Sequence, residues 1–326
     1  MSHANVAIFV PHNGCPNQCS FCNQKNITGV THQPSPGEVE DILKNVKNNN
    51  KDMQIAFFGG SFTAIDQSYM INLLKVASNY VKKGHFSGIR ISTRPDAIND
   101  NILNILEKYN VTDIELGAQS MNDDVLRANH RGHTREDIIS ASNLIKSRGF
   151  SLGLQMMTGL YKSNYNIDYQ TGIDILNIRP DTIRIYPTVI LKGTQLETLY
   201  KTGYYNTLSF DKTVDLCCKL LSLFESNNIP VIRLGLHFSE SLCSNMVGGV
   251  FHPAFREICE SRILLYKIQS LIKERNINPG VLRVKVQPKY ISKLVGHNKS
   301  NIKKLKDARY ILKIEQDSSI KGNILI

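Results

Sequence analysis

Apolar residues along this chain fall into two alternating kinds of segment. Short runs at Val6 to Val10, Ile55 to Phe58, Ile89 to Ser92, Ile114 to Leu116, Leu152 to Met157, Ile183 to Tyr186 and Val231 to Leu236 read as buried strands. Between them apolar positions recur at helical spacing, as at Val39, Ile42, Leu43 and Val46. Further helices are predicted over Tyr69 to Val81, Ile102 to Leu106, Ile138 to Ile145 and Val214 to Phe224, with a less regular one near Ile173 to Leu176. Strands separated by helices of this length predict a parallel sheet with right-handed crossovers. Six strand–helix units and a last strand predict an α/β fold, a partial (β/α)6 barrel over residues 1–240. In such barrels chemistry gathers at the C-terminal ends of the strands.

Polar and glycine-rich residues recur at those ends. A cysteine loop follows the first strand, Gly59-Gly60-Ser61 the second, Thr93-Arg94-Pro95-Asp96 the third and Gly117-Ala118-Gln119-Ser120 the fourth, while Gln155 lies within the fifth. Paired glycines admit close backbone approach to a ligand, so Gly59 and Gly60 are candidates to accept an ammonium on their carbonyls. Gln119 and Gln155 are candidates for ribose hydroxyls or a carboxylate. Arg131 is expected to return toward the site from the loop before the fourth helix. Any one of these residues alone is as well explained by turn or core structure; the recurrence at five successive strand ends is what points to a site.

After a helical connector (241–278) that includes a helix from Phe255 to Ile272, the pattern changes. Residues 279–326 predict a small α+β module: a strand at Val281 to Val286, helices at Lys289 to Val295 and Ser300 to Leu305, and strands at Tyr310 to Ile314 and Asn323 to Ile326. Charge sharpens this boundary. The 326 residues carry a net +11, and residues 279–326, with eleven Lys or Arg against three Asp or Glu, account for +8 of it. A concentrated basic module suits a polyanionic partner, although a solvated basic face would have the same composition. No apolar run is long enough to span a bilayer, and the N-terminus lacks a cationic segment followed by an apolar one. Seven cysteines, an odd number that includes the neighbours Cys217 and Cys218, suggest no disulfide framework. No membrane association and a reducing cytoplasm are therefore expected.

Three of those cysteines, Cys15, Cys19 and Cys22, form the spacing C-x3-C-x2-C. A structural zinc site closes with four protein ligands, and here only His12 offers itself as a fourth. Three thiolates instead suit a [4Fe-4S] cluster with one iron left open.

In these residues the chain resembles the radical S-adenosylmethionine (SAM) superfamily over roughly residues 5 to 260, and within it the branch of the Elongator catalytic subunit and oxygen-independent coproporphyrinogen oxidase. The cysteine spacing is the superfamily signature. Phe21 matches the aromatic that packs near the adenine, and Phe57-Phe58-Gly59-Gly60-Ser61-Phe62-Thr63 resembles the segment that holds the SAM amino group. Glu115-Leu116-Gly117-Ala118-Gln119-Ser120, Val125-Leu126-Arg127 and Arg131-Gly132-His133-Thr134 resemble the Elongator pattern, as do Arg184-Ile185-Tyr186-Pro187-Thr188 and Lys192-Gly193-Thr194. The resemblance implies that Cys15, Cys19 and Cys22 hold the cluster and that Phe21, Gly59, Gly60, Ser61, Gln119, Arg131 and Gln155 contact SAM. It implies reductive SAM cleavage by an electron from a flavodoxin or ferredoxin, with the 5′-deoxyadenosyl radical abstracting hydrogen from a substrate. Elongator-type enzymes carry a longer cysteine spacing and an acetyltransferase domain after the barrel, for which this chain has no room, so their acetyl-group chemistry does not carry over.

In the basic module, Val295-Gly296-His297-Asn298-Lys299-Ser300-Asn301-Ile302-Lys303-Lys304-Leu305 resembles the KH nucleic-acid-binding module, whose Gly-x-x-Gly loop clamps a nucleic-acid backbone. Lys299 stands in place of the second glycine. Gly296, Lys299, Lys303 and Lys304 are the implied RNA contacts. Together these expectations describe a radical SAM enzyme modifying RNA, tRNA in particular. The alternative is a coproporphyrinogen oxidase-like or haem-handling protein with no RNA substrate.

Overall fold

The computed structural model describes residues 5–11, 15, 17–23, 30, 32–46, 52–320 and 324–325. His12, Pro16 and both ends of the Asn323 to Ile326 strand lie outside them. Seven parallel strands form one sheet whose spatial order follows the chain: β1 (Asn5–Val10), β2 (Gln54–Gly59), β3 (Gly88–Thr93), β4 (Val111–Gln119), β5 (Ser151–Thr158), β6 (Thr182–Pro187) and β8 (Val231–Leu234). Parallel strands cannot be joined by tight turns. The connections carry helices α1 (Pro36–Lys44), α2 (Gln67–Lys82), α3 (Asp100–Lys108), α4 (Asp123–Ala128), α5 (Arg135–Ser147), α6 (Tyr165–Ile178), α7 (Gln195–Lys201) and α8 (Phe210–Ser226). Leu73, Leu74, Leu103, Leu106, Ile138, Ile145, Leu220 and Phe224 from these helices join Ile55, Ile89, Ile91, Ile114, Leu152 and Ile183 from the strands in one core. This is the expected curled α/β half-barrel.

Helix α6 runs over fourteen residues, well beyond the predicted stretch near Ile173 to Leu176. Its buried face includes Asp168, Thr171 and Gly172, so hydrophobic periodicity under-reports it. Gly172 lies directly against Leu220 of α8, leaving no room for a side chain. Periodicity also missed a two-stranded antiparallel ribbon, β7 (Val189–Leu191) with β9 (Met246–Gly249), and three short helices, α4, α7 and α9 (Glu240–Asn245).

Helix α10 (Phe255–Glu274) leaves the barrel. Strand β10 (Gly280–Val286), helices α11 (Ile291–Val295) and α12 (Ser300–Asp307), and strands β11 (Tyr310–Gln316) and β12 (Ile324–Leu325) follow. Their sheet has the order β11-β10-β12, with β10 parallel to β11 and antiparallel to β12. Helix α10 belongs to two cores. Phe255 and Cys259 pack into the barrel, whereas Leu264, Leu265 and Ile268 pack with Leu282, Val284, Leu294 and Leu305 of the tail. Asn301 ties the tail to this helix by donating from Nδ2 to the Ser261 carbonyl at 2.8 Å, and also to Lys293 and Leu294 carbonyls. No helix among the described residues is long and apolar enough to cross a membrane.

Candidate active site

The cysteine loop is fixed at the strand ends by neighbours on three sides. Ser20 donates from its backbone N–H to the Asn129 carbonyl (3.2 Å) and from Oγ to Asn129 Oδ1 (2.6 Å). Asn129 is fully buried, and its Nδ2 donates to the Val125 and Tyr161 carbonyls. The Leu196 N–H of α7 donates to the Ser20 carbonyl at 2.8 Å. The Asn17 amide fills the space where a side chain on Gly132 would stand. The segment that carries Asn129, Arg131 and Gly132 is itself held between two capped helices. Asn122 caps α4, and Thr134 forms a capping box with Asp137 at the start of α5.

Within this frame the Cys15 thiol is exposed, Cys19 buried and Cys22 half-buried. The Cys22 N–H donates to the Cys19 carbonyl at 3.1 Å, which closes the loop tightly. Cys15 Sγ lies 3.7 Å from Ser61 Oγ. Cys19 Sγ accepts a hydrogen bond from Arg131 Nη1 at 3.1 Å. Burial, then the nearby Cys19 and Cys15, push the Cys22 thiol up to about 12, against the opposing pull of Arg131. A bound cation reverses that order, because it deprotonates coordinating thiols.

Arg131 also donates from Nη2 to the Gly117 carbonyl at 2.7 Å, and its buried Nε has no hydrogen-bond partner. Its own carbonyl accepts from Arg94, which Asp96 grips through two bonds of 2.9 Å. Gln119, at φ 66, ends β4 beside a break in its register with β5, and its Oε1 accepts from Gln155 Nε2 at 3.2 Å. At the end of β2, Gly59 has φ 126, and a Cβ there would stand 2.5 Å from the Val10 carbonyl oxygen. The Gly60 N–H donates to that same oxygen at 3.1 Å. Cys19, Arg131, Gly117, Gln119 and Gln155 are thus linked, and Cys15 meets Ser61. Phe21 is half-buried against the cluster of Ile190, Leu196 and Tyr205.

Behind the strand ends the concave face is charged. Arg90 Nη2 pairs with Asp113 at 2.7 Å, Arg90 Nη1 lies 4.0 Å from Glu115, and Arg184 Nε pairs with Glu115 at 2.6 Å. Burial works against the Arg184 charge, but Glu115 and Tyr186 outweigh it and hold the guanidinium above its ordinary value. Sequence reasoning overlooked Ser20 and Asn129, which no spacing marks, and it placed Arg94 at a strand end without giving it a role. It also overlooked this interior, although the signal was present: Arg90, Asp113, Glu115 and Arg184 each alternate with isoleucine or leucine.

In the tail, the loop between α11 and α12 has left-handed backbone at Gly296 (φ 82), Asn298 (φ 51) and Lys299 (φ 59). Lys299, Lys303 and Lys304 are exposed.

The donor set fits an iron–sulfur cluster. Three thiols lie on one short loop, and an arginine N–H donates to the sulfur of Cys19. Among the described residues no group of three or more His, Cys, Asp or Glu converges as a single metal ion requires. A [4Fe-4S] cluster binds each thiolate to a different iron and needs no such convergence.

Comparison with known proteins agrees. Residues 9–167 match the Radical SAM superfamily model and residues 180–264 match the Radical_SAM C-terminal domain. Elongator complex protein 3 of Dictyostelium discoideum is 28% identical over 243 residues, covering 68% of this chain and 43% of that protein. The Homo sapiens Elongator complex protein 3 is 27% identical over 271 residues, covering 76% and 48%. The chain thus spans somewhat less than half the length of these relatives. Among solved structures, the archaeal Methanocaldococcus infernus Elp3 with an N-terminal deletion superimposes with a TM-score of 0.61 at 20% identity, covering 85% of this chain and 64% of that one. Streptococcus suis SuiB bound to S-adenosylmethionine gives 0.53 at 14% identity, with 74% and 52% covered. Family models, half-barrel and cysteine loop agree, and the chain is a radical SAM enzyme whose cofactors are a [4Fe-4S] cluster and SAM.

Proposed function

We propose that this enzyme modifies RNA, with tRNA as its substrate and the basic tail as its RNA-holding module. The observation that carries the reading is the tail's loop and helix. Lys299 takes the left-handed backbone that a KH-type loop would give its second glycine, and Lys299, Lys303 and Lys304 stand exposed on the same loop and helix. Backbone phosphates are what such a surface attracts. Similarity to Elongator complex protein 3 supports the same substrate class.

In this reading Cys15, Cys19 and Cys22 hold the cluster. Arg131 steadies the Cys19 thiolate and keeps its partnerless Nε for SAM. Gly59, Gly60 and Ser61 take the methionine end of SAM, Gln119 and Gln155 its polar oxygens, and Phe21 borders the adenine. Bound there and given an electron by a flavodoxin- or ferredoxin-type donor, the cluster and SAM would supply 5′-deoxyadenosyl radical chemistry for hydrogen abstraction from the substrate. The chain's own work is to position SAM over the strand ends and to exclude water there. Mass-spectrometric comparison of tRNA nucleosides from a deletion strain and its parent tests the reading. Loss of one modified nucleoside is expected, and identical nucleoside profiles would defeat it.

A further inference from the structure

The floor of the barrel chamber has a chemistry of its own. Arg184 on β6 reaches over to β2, where its guanidinium carbon lies 5.3 Å from the centre of the Phe58 ring. Three strands separate β6 from β2 in the sheet, so this contact spans the inside of the curl. Glu115 fixes the guanidinium from β4, and the Arg90–Asp113 pair backs Glu115 in turn. Arg184 Nη1 meets the Tyr186 hydroxyl at 3.4 Å. Phe9 lies beside Phe58, ring centres 6.2 Å apart and tilted by 41°, and remains 37% exposed.

A barrel interior that only needed filling would use branched apolar side chains in these layers. Burying two arginines and two carboxylates instead carries a desolvation cost, which their mutual pairing only offsets. What the arrangement secures is a braced π surface: a guanidinium over one ring, a phenol hydrogen-bonded to that guanidinium and a second, tilted ring open to solvent. Aromatic and guanidinium planes hold unstacked bases by their faces, and hydroxyl and guanidinium groups read their polar edges.

We infer that Phe58, Arg184 and Tyr186, with Phe9 at the open side, form the plate on which a nucleobase of the substrate is stacked and selected. This rests on the RNA reading above and deepens it: the tail holds backbone, and the plate reads the base.

The chain contains no tryptophan, so Phe58→Trp in the full-length protein creates a single indole within the plate. Titration with the four ribonucleoside 5′-monophosphates and with total tRNA should quench its fluorescence saturably, with an order of preference among the four. Adding Phe9→Leu should weaken that binding by roughly 5- to 100-fold, the range for losing one stacking partner. Adding Tyr186→Phe should change the order of preference, which a merely structural tyrosine would not. Binding of total tRNA to the wild-type chain is measured in parallel on filters. Absence of quenching by every nucleotide and by tRNA, with filter binding intact, overturns the plate and leaves the RNA reading standing. Unchanged quenching and preference in both added variants overturns it equally. A wild-type chain that binds no tRNA defeats the RNA reading, and the plate with it.

Discussion

The barrel and the tail solve opposite problems with the same kinds of side chain. Around the cysteine loop the polar residues are buried and held from several sides: Arg131 touches Cys19 and Gly117, Arg94 holds Arg131, and Asn129 holds Ser20. In the tail, Lys299, Lys303 and Lys304 face solvent. Buried, hydrogen-bonded polar groups fix geometry at the cost of tolerance, because losing one partner strands the other. Exposed lysines attract a polyanion without fixing its register, and salt screens them. Reactions at the barrel should therefore fail steeply on single substitutions, while binding by the tail should decline in small, additive, salt-dependent steps.

The largest expected effect is at the loop itself. Cys19→Ala should abolish iron–sulfur absorbance and 5′-deoxyadenosine formation together, and retained 5′-deoxyadenosine would refute the ligand assignment. Next comes Arg131→Ala, which should keep a bound cluster yet slow SAM cleavage about 100-fold, the scale of a misplaced reactive geometry. Cleavage within twofold of wild type would remove Arg131 from the site. The triple variant Lys299→Ala, Lys303→Ala, Lys304→Ala should leave basal SAM cleavage unchanged. Its affinity for tRNA should fall, with the slope of log affinity against log salt shallower by about 2, as expected for three lost single-strand phosphate contacts. An unaltered slope would place the RNA elsewhere.

The smallest effect lies in a barrel group away from the cysteines. Burial pushes the Asp168 carboxyl up to about 7, against hydrogen bonds from Ser163 Oγ and the Gly159 N–H. Between about pH 4 and 7 the folded chain holds a proton there that the unfolded chain has lost, so this group lowers stability as pH rises. His133 acts the other way. Burial and Arg131 hold it down to about 4, so from pH 4 to 6.5 the unfolded chain binds the extra proton and stability rises with pH. Denaturant titrations of Asp168→Asn against wild type should show the variant relatively more favoured toward pH 7. No pH-dependent difference would mean that Asp168 is ionised in the folded chain.

The two regions also differ in how far they can be read from sequence. Strand order was legible because compact apolar runs alternate with amphipathic helical stretches, as at Ile55 and Ile89. Helix α6 was not, since its buried face carries Asp168, Thr171 and Gly172. The cysteine spacing announced its chemistry, but the residues that hold the loop did not. Asn129 acts through contacts set by the fold, and nothing in its local sequence distinguishes it from an ordinary loop residue, while Arg94 was visible at a strand end but its grip on the Arg131 carbonyl was not. The interior charges could have been found, because Arg90, Asp113, Glu115 and Arg184 interrupt strands at every second position, where period two sends them all to one face. In the tail, the two helices and the loop between them were visible, while the left-handed turn at Lys299 follows from no residue preference for it.

Helix α10 has a practical consequence. Its first turns, with Phe255 and Cys259, are built into the barrel, and its later turns, with Leu264, Leu265 and Ile268, into the tail. Cutting the chain after Pro279 would not detach a free-standing module but would leave a greasy stump on a long rigid shaft. A truncated protein that precipitates or loses its substrate would then report on that raw surface rather than on RNA. Surface lysine exchanges, which leave the shaft clothed, are the sound way to ask what the far end holds.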